Sequence, residues 1–286
     1  MKNIVAISIA ALFLFSCKKS EQENDINKES KKIQVTFTTG FETSTKDITS
    51  TSDDGDLASR HLNYIYYTVY TQAGQKVKSI TQIKGITKNF GLLIDTLPAG
   101  IYNAFFLGSK VPLNFNVSTF DKSYVNNYDD KDIFFTRDGF VLDQNPIRRG
   151  ATFVRAVGKL TFEFKDLIPS NVTRIEIKRR AASKFFFNES APLDTIKVKT
   201  INLPANHAPL IIDPFSLTTV ESNTWIELEI AAYATNGDLV QRKKLDVQPR
   251  RNRESVITGF LLSELESLSF VIDGDWDPGK NIIEWW

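Results

Sequence analysis

Alternation of apolar and polar residues runs through most of the chain, as expected of strands with one face in a core and the other in water. Every second residue is apolar in Ile33–Phe37 and in Lys159–Lys165. The run Leu62–Tyr70 is aromatic and β-branched, and the glycine-containing turn Gln72–Gln75 after it predicts a hairpin. Apart from a short turn near Val117–Asn127, no stretch of the sequence has a convincing helical period with caps. The pattern predicts an all-β protein of antiparallel strands.

An internal repeat suggests how the strands are grouped. Tyr70–Val77 matches Tyr233–Val240 in the placing of tyrosine, glycine and valine, and Lys32–Phe37 matches Lys159–Phe164. Similar segments in the same order favour two tandem sandwiches of related topology. Any two hairpins share turn chemistry, however, so chance can produce such a match, and the chain length leaves one large β domain as the alternative.

A turn-prone, charged stretch at Asn145–Gly150 precedes a long predicted strand, Ala151–Lys165. We place the boundary between the two sandwiches at this stretch. The predicted organisation is a signal peptide at 1–16, a flexible tether at 17–32, an N-terminal β-sandwich at 33–147 and a C-terminal β-sandwich at 148–286.

The N-terminus has the layout of a secretory signal. The uncharged run Ile4–Phe15 follows a lysine and ends at Ser16-Cys17, with a small residue before the expected cut. The run is too short for an ordinary membrane-spanning helix, which needs about 20 apolar residues. Leu14–Cys17 resembles a lipobox, although Phe15 is bulkier than the usual occupant. We predict signal peptidase cleavage between Ser16 and Cys17 and a lipid on Cys17; an ordinary cleaved signal with an incidental cysteine is the alternative.

The segment behind that cysteine, Lys18–Lys32, is polar and charged, which is typical of a disordered tether. Its lysine and acidic residues resemble the export tags of surface-exposed lipoproteins of Bacteroidota, but a plain soluble spacer would look the same. We expect a lipid-anchored protein of the cell outer membrane, and surface exposure depends on which of these two explanations holds. Three acyl chains on Cys17 would anchor the protein stably, because each methylene buried in the membrane contributes about 0.8 kcal/mol.

Composition narrows the function further. The chain has one cysteine, which excludes an intramolecular disulfide, and a formal net charge of +1 without a basic stripe, which argues against nucleic-acid binding. Its two histidines, His61 and His207, lie in different predicted domains without metal-ligand spacing. Asp129–Asp132 lacks the spaced ligands of a calcium loop. No nucleophile elbow or phosphate-binding loop is found, so we expect no enzyme, no metal and no cofactor.

Aromatic residues allow two interpretations. Tyrosines at 64, 66, 67 and 70 share one strand, and alternate tyrosines can form a platform on which a sugar stacks. The commoner arrangement is that one face packs the core and the other a covering segment or partner, and we favour it.

Two triplets match an Asp-Thr-aliphatic pattern that resembles the O-glycosylation site of exported Bacteroidota proteins. They are Asp95–Leu97 and Asp194–Ile196, and they make Thr96 and Thr195 candidate glycosylation sites. A match of three residues is weak evidence by itself.

Several segments together resemble the fimbrial anchor and fimbrillin family of Bacteroidota, which builds type V pili. Arg155–Phe162 with Asp166–Pro169 is similar to the opening of the family's second domain. Arg250–Gly259 is similar to the entry into a late strand, Phe270–Trp276 to the closing strand, and Leu97–Tyr102 to a turn of the first domain. These motifs are loose and mostly structural, so they indicate the fold more strongly than the role.

The resemblance implies two transthyretin-like sandwiches, a lipoprotein precursor and assembly by strand donation, in which one subunit supplies a strand that the next one lacks. Stalk subunits of the family lose their first segment to an arginine-specific protease, whereas anchors keep it. Cleavage between Arg60 and His61 would remove Ile33–Phe37 and open a groove, although Arg60 can equally be an ordinary loop residue. The apolar end Asn281–Trp286 is either a docking strand or the last strand of its own domain.

The function expected from this resemblance is that of a non-enzymatic cell-surface lipoprotein, a fimbrial anchor or assembly subunit whose partners are other fimbrial subunits and the membrane. A glycan-binding lipoprotein of a nutrient-uptake system is the alternative, and a purely structural exported domain is a third candidate.

Overall fold

The computed structural model describes residues 31–41, 61–126, 128, 131–204, 207–220, 224–263 and 268–275, the last seven of them as backbone only. Eighteen strands and a 3-10 helix at Phe120–Lys122 have described bounds, which confirms the all-β prediction and the short turn near Val117–Asn127. Among these residues no helix is long and apolar enough to cross a membrane.

In chain order the strands are β1 (Ile33–Phe41), β2 (Tyr64–Thr71), β3 (Lys76–Ile83), β4 (Leu92–Leu97), β5 (Gly100–Ser109), β6 (Asn114–Asn116), β7 (Tyr124–Asn126), β8 (Ile133–Leu142), β9 (Ile147–Arg155), β10 (Gly158–Phe164), β11 (Val172–Ala182), β12 (Lys184–Phe186), β13 (Leu193–Asn202), β14 (Phe215–Thr219), β15 (Ile226–Ala234), β16 (Leu239–Val247), β17 (Arg253–Gly259) and β18 (Leu268–Asp275).

A seven-stranded sheet in the order β3-β2-β5-β8-β9-β1-β4 forms the first sandwich. Strands β8 and β9 pair only at Phe134–Arg155 and Phe135–Val154, so the sheet bends there. The layer β9-β1-β4 then faces the layer β3-β2-β5-β8, and their inward apolar side chains form one core. Every neighbouring pair in the sheet is antiparallel except β1 and β9.

Two four-stranded sheets, β14-β10-β17-β18 and β13-β11-β15-β16, enclose a second core. Its topology repeats that of the first sandwich. Strand β10 pairs antiparallel with β14 and parallel with β17, as β1 does with β4 and β9. The order β13-β11-β15-β16 likewise repeats β3-β2-β5-β8. The predicted related topology is therefore present, with β18 as an addition in the second sandwich.

One of the two sequence matches behind that prediction joins equivalent strands, and the other does not. Lys32–Phe37 and Lys159–Phe164 cover β1 and β10, which hold the same place in their sandwiches. Tyr70–Val77 is the β2–β3 turn, whose topological equivalent is the β11–β13 connection, whereas Tyr233–Val240 is the β15–β16 turn. That match was wrong because tight hairpins share turn chemistry wherever they occur.

The stretch Ala151–Lys165 is not one strand as predicted. Strand β9 belongs to the first sheet and places Phe153 in the first core, whereas β10 belongs to the second sandwich. The chain passes from one sandwich to the other at Ala156-Val157, because these two residues lie between β9 and β10. The division into two domains stays a prediction, since the chain from Lys32 onward forms one compact unit.

A third core explains this compactness. The small sheet β12-β7-β6 combines strands from both halves of the chain. It packs on the outer face of β2 and β5, where Tyr70 and Phe105 meet Phe185 and Phe187 of the second half. Phe105 and Phe187 stack with ring centroids 4.1 Å apart. Strands β2 and β5 therefore have both faces buried.

We predict that His207 stabilises the fold below neutral pH. Its Nε2 lies 2.8 Å from the Val172 carbonyl oxygen and its Nδ1 2.6 Å from the Ala208 carbonyl oxygen. Only the protonated ring can donate to both, so the pKa of His207 is raised above its usual 6.5. A raised folded-state pKa gives stability that is full below the unfolded-state pKa and is lost as pH rises through the folded-state value.

An NMR titration of the two histidine rings should therefore show His207 titrating above a model peptide, and the stability difference from His207→Gln should vanish at alkaline pH. A His207 pKa at or below the peptide value would contradict this account.

Candidate assembly site around the first strand

Strand β1 is an interior strand of the first sandwich, although it is the first of the described strands. It lies between β4, its antiparallel neighbour, and β9, its parallel neighbour. Alternation along β1 sends Ile33, Val35 and Phe37 into the core, where Val35 and Phe37 have no exposed surface. Full burial of such side chains contributes about 1.5–3 kcal/mol each, so β1 is a large part of the core it closes.

Phe37 contributes most to that core. Its ring centroid lies 5.0 Å from Phe106, 5.4 Å from Phe140 and 5.7 Å from Tyr67, all on the opposite layer. These edge-to-face and tilted contacts add to the area that the ring buries. Without β1 the three facing rings would meet water along a groove between β4 and β9.

The polar face of β1 and the far end of the strand also make defined contacts. The opposite face carries Gln34, Thr36 and Thr38, and the Gln34 amide donates to the Thr36 hydroxyl at 3.2 Å. At the far end, the Thr39 N–H and hydroxyl both donate to the Gly91 carbonyl oxygen, at 2.9 and 3.0 Å. This end of β1 is therefore fastened to the start of β4.

The predicted processing site borders the described part of the chain. Ser16, Cys17 and Arg60 lie outside the described residues, so lipidation and cleavage stay predictions. His61 is half-buried, and its ring contacts Phe41 at the end of β1 with centroids 5.2 Å apart. The end of β1 and the chain after Arg60 are thus neighbours in space.

The two candidate glycosylation sites lie in different sheets. Thr96 is exposed on β4, and Thr195 is partly exposed on β13. Neither preceding aspartate is free: Asp95 is buried, and Asp194 accepts hydrogen bonds from the N–H and hydroxyl of Ser183 at 2.6 and 2.7 Å. These hydrogen bonds lower the pKa of Asp194.

The tyrosine strand packs as expected and does not form a platform. Tyr67 faces the first core, whereas Tyr66 and Tyr70 face the third, and none of the three exceeds 8% exposure. Burial raises the pKa of Tyr70 to about 12, and the Tyr70 hydroxyl donates to the Ser123 hydroxyl at 2.8 Å. Tyr64, stacked on Tyr66, keeps partial exposure.

The described residues contain no group of side chains that could hold a metal ion. An open cleft between the β2–β3 and β4–β5 turns is lined by uncharged residues, namely Thr71, Gln72, Ala73, Ala99, Gly100, Ile101 and Tyr102. The Tyr102 hydroxyl there already donates to the Pro98 carbonyl oxygen at 3.0 Å, within the turn motif recognised in the sequence.

Two other recognised motifs meet at the junction of the sandwiches. Arg155 makes a two-fold ion pair with Asp132 at 2.7 and 2.9 Å and donates to the Asn252 amide oxygen at 3.1 Å. The Asn252 N–H donates to the Val157 carbonyl oxygen at 2.9 Å. Gly158 is required because a Cβ there would lie 2.5 Å from the Arg250 carbonyl oxygen. These motifs are thus structural.

A second arginine extends the junction. Arg251 donates to a Glu189 carboxylate oxygen at 2.8 Å, and its guanidinium lies 5.2 Å from the ring centroid of Phe135 and 5.6 Å from that of Phe185. It therefore binds residues of both sandwiches at once. Sequence reasoning marked Arg155 and Arg251 as motif residues, but nothing in the sequence identified Asp132 or Glu189 as their partners.

The fold matches several solved structures. The fimbrial anchor protein Mfa2 of Porphyromonas gingivalis is 11% identical with a TM-score of 0.56, over 85% of this chain and 98% of that one. A candidate polysaccharide-binding protein of Bacteroides thetaiotaomicron is also 11% identical with a TM-score of 0.56, over 85% and 96%. A candidate cell adhesion protein of Parabacteroides distasonis is 11% identical with a TM-score of 0.51, over 88% and 99%.

No family model and no curated protein matches the sequence. At identities this low the likeness concerns the fold. The resemblance to fimbrial anchors that the sequence motifs suggested is confirmed at that level.

We predict that Arg155→Met destabilises the protein by about 3–5 kcal/mol, because it leaves the buried Asp132 carboxylate without its partner. Burial already raises the pKa of Asp132, and Arg155 opposes that rise. Chemical denaturation measures the loss.

Arg148→Met, at an exposed arginine of the same strand, is the matched control and should change stability by less than about 0.5 kcal/mol. The pair Arg155→Met/Asp132→Leu should recover much of the loss. If Arg155→Met and Arg148→Met changed the stability equally, the role of the ion pair would be refuted.

Proposed function

We propose that the protein is a cell-surface lipoprotein that serves as a fimbrial anchor or assembly subunit and binds other fimbrial subunits through sheet edges. The observation that carries this is the place of β1, an N-terminal strand that fills an interior position between β4 and β9. Such a position suits assembly by strand donation. Loss of β1 would expose rows of unpaired backbone groups on β4 and β9, which a strand of another subunit could pair with.

Within this proposal the anchor is the preferred role. With β1 retained, the groove of the first sandwich is occupied by the chain itself, so no donor strand can enter it. Such a subunit ends a polymer rather than continuing it. A lipid on Cys17, joined to β1 through the polar tether 17–32, would then fix that end to the outer membrane. Cleavage after Arg60 would instead make the protein a stalk subunit.

The organisation in two domains belongs to the same proposal, with the boundary at Ala156-Val157 rather than between 147 and 148, because β9 pairs within the first sheet. It is supported by two separate cores with one repeated topology. The junction built on Arg155 and Arg251 would hold the sandwiches in one orientation, which suits a protein that transmits force between a membrane and a filament. No part of this role requires a catalytic group.

A glycan-binding lipoprotein is the second candidate, favoured by the likeness to the candidate polysaccharide-binding protein of Bacteroides thetaiotaomicron. The sugar platform that the sequence suggested is not available to it, because Tyr66, Tyr67 and Tyr70 are buried. A glycan would have to bind elsewhere.

Two strains test the anchor role: one lacks the gene, and the other carries the Cys17→Ala variant. We expect cells to assemble fimbriae but to shed them into the medium, since the polymer loses its attachment to the membrane. Electron microscopy of cells and immunoblots of the medium measure this. Retained fimbriae together with lost polysaccharide binding would favour the second candidate.

Mass spectrometry of the mature N-terminus separates anchor from stalk subunit. A lipid-modified Cys17 is the expected result. A mature chain that begins at His61 would overturn the anchor and favour the stalk.

Intact-mass measurement tests the glycosylation sites. If Thr96 carries a glycan, Thr96→Ala should lower the mass of the exported protein by more than the substitution itself, and Thr195→Ala provides the same test on β13. Mass changes equal to the substitutions alone would exclude both sites.

A further inference from the structure

The two outer strands of the seven-stranded sheet, β3 and β4, are consecutive in the chain, and side-chain hydrogen bonds link them across the open side of the sheet. Both strands and the loop between them are described throughout, and no backbone hydrogen bond joins β3 to β4. Side chains of β3 bridge the gap instead. We call this set of contacts the seam; its residues are Lys78, Gln82, Gly91, Leu92 and Asp95.

One end of the seam is held by an amide. Gln82 on β3 is 4% exposed. Its Nε2 donates to the Leu92 carbonyl oxygen at 2.8 Å, and its Oε1 accepts from the Gly91 N–H at 2.9 Å. The side-chain amide thus takes the place that a peptide group of a neighbouring strand would occupy, with one donor and one acceptor used.

The other end is held by a charge pair. The Asp95 side chain of β4 has no exposed surface, and Lys78 of β3 donates to its Oδ1 at 2.5 Å. The carboxylate also accepts from the Tyr67 hydroxyl at 3.2 Å and from the Thr96 N–H at 2.7 Å. A buried carboxylate costs more desolvation than leucine would, so closing the core does not require it. What the pair adds is a defined position of β4 against β3.

That position matters because β1 is the one sheet partner of β4 among the described strands. The Thr39 N–H donates to the Gly91 carbonyl oxygen, so antiparallel alternation points the peptide groups of Leu92, Ile94 and Thr96 away from β1, toward β3. The seam therefore grips β4 on the side opposite to β1. If β1 left, every backbone bond of β4 within the sheet would go with it, and the seam would remain.

We propose that the seam positions β4 independently of β1 and so keeps the wall of the β1 groove in place when that strand is absent. Lys78 and Gln82 are positioning residues, since their side-chain hydrogen bonds go to β4 and to the residue before it. The consequence for strand exchange rests on the function proposed above: a groove with fixed walls can receive a strand, whereas a collapsed one cannot. The holding of β4 itself does not depend on that function.

Hydrogen exchange of the purified full chain, read residue by residue by NMR, tests the proposal. Transient loss of β1 should expose the β4 amides that bond to it but leave the Leu92 and Thr96 N–H groups protected in the natural protein, because they donate to the Asn89 carbonyl oxygen and to Asp95 Oδ1. In Lys78→Met/Gln82→Leu, protection of the Leu92 and Thr96 amides should fall about tenfold or more, to the level of the β1 amides, because the two strands then open together. The matched control Lys76→Met/Gln75→Leu changes the same residue types at exposed positions beside the seam. It should change the exchange rates of the β4 amides by less than about twofold.

Protection of β5, β11 and β15 shows whether the variant is still folded. Unchanged β4 exchange in a folded variant overturns the proposal. If the double variant loses protection everywhere, Asp95→Asn decides, because it removes the charge pair and keeps the Tyr67 and Thr96 contacts. Selective loss in β4 then supports the seam, and no selective loss refutes it. Hydrogen exchange of the purified protein does not depend on fimbriae, so the seam and the proposed function can fail independently of each other.

Discussion

Burial of both faces of the β2–β5 pair is the constraint on which the remaining structure depends. The inward faces of these strands line the first core, and the outward faces line the core shared with the second half of the chain. Tyrosine suits such strands because its ring fills space and its hydroxyl can be satisfied locally. The Leu113 N–H donates to the Tyr66 hydroxyl at 3.1 Å, while the hydroxyls of Tyr67 and Tyr70 donate to Asp95 and Ser123. The two sandwiches are thereby packed as one body.

Around that body, apolar packing and polar contacts have different tasks. Apolar side chains of β1 complete the first core, but they would tolerate small shifts of the strands that surround them. Directional contacts set those strands in place: Lys78 and Gln82 hold β4 against β3, and Arg155 holds the end of β9 to Asp132 before β8 and to Asn252 before β17. Buried charges are costly, so their use at the seam and at the junction indicates that the position of the strands matters there.

The family-like motifs show how far sequence reasoning reached. Arg155–Phe162 and Arg250–Gly259 were recognised separately, and they prove to be two sides of one junction, joined by Arg155 to Asn252 and by Gly158 to Arg250. No local pattern marks Asp132 or Glu189 as their partners; Asp132 stood out only within Asp129–Asp132, which lacks the spaced ligands of a calcium loop. The same holds for Gln82 and Asp95, whose contacts arise only because the sheet curls until its outer strands meet.

Local alternation was sufficient to establish several strands, the all-β class and the inward residues of β1 and β10, because side-chain direction along a strand depends on adjacent residues alone. Which strands become neighbours depends on pairing between distant segments. Only the folded chain therefore revealed the parallel pair β1–β9, the passage between cores at Ala156-Val157 and the second buried face of the tyrosine strand. A strand's sequence records which of its faces are apolar, but it does not record what covers them.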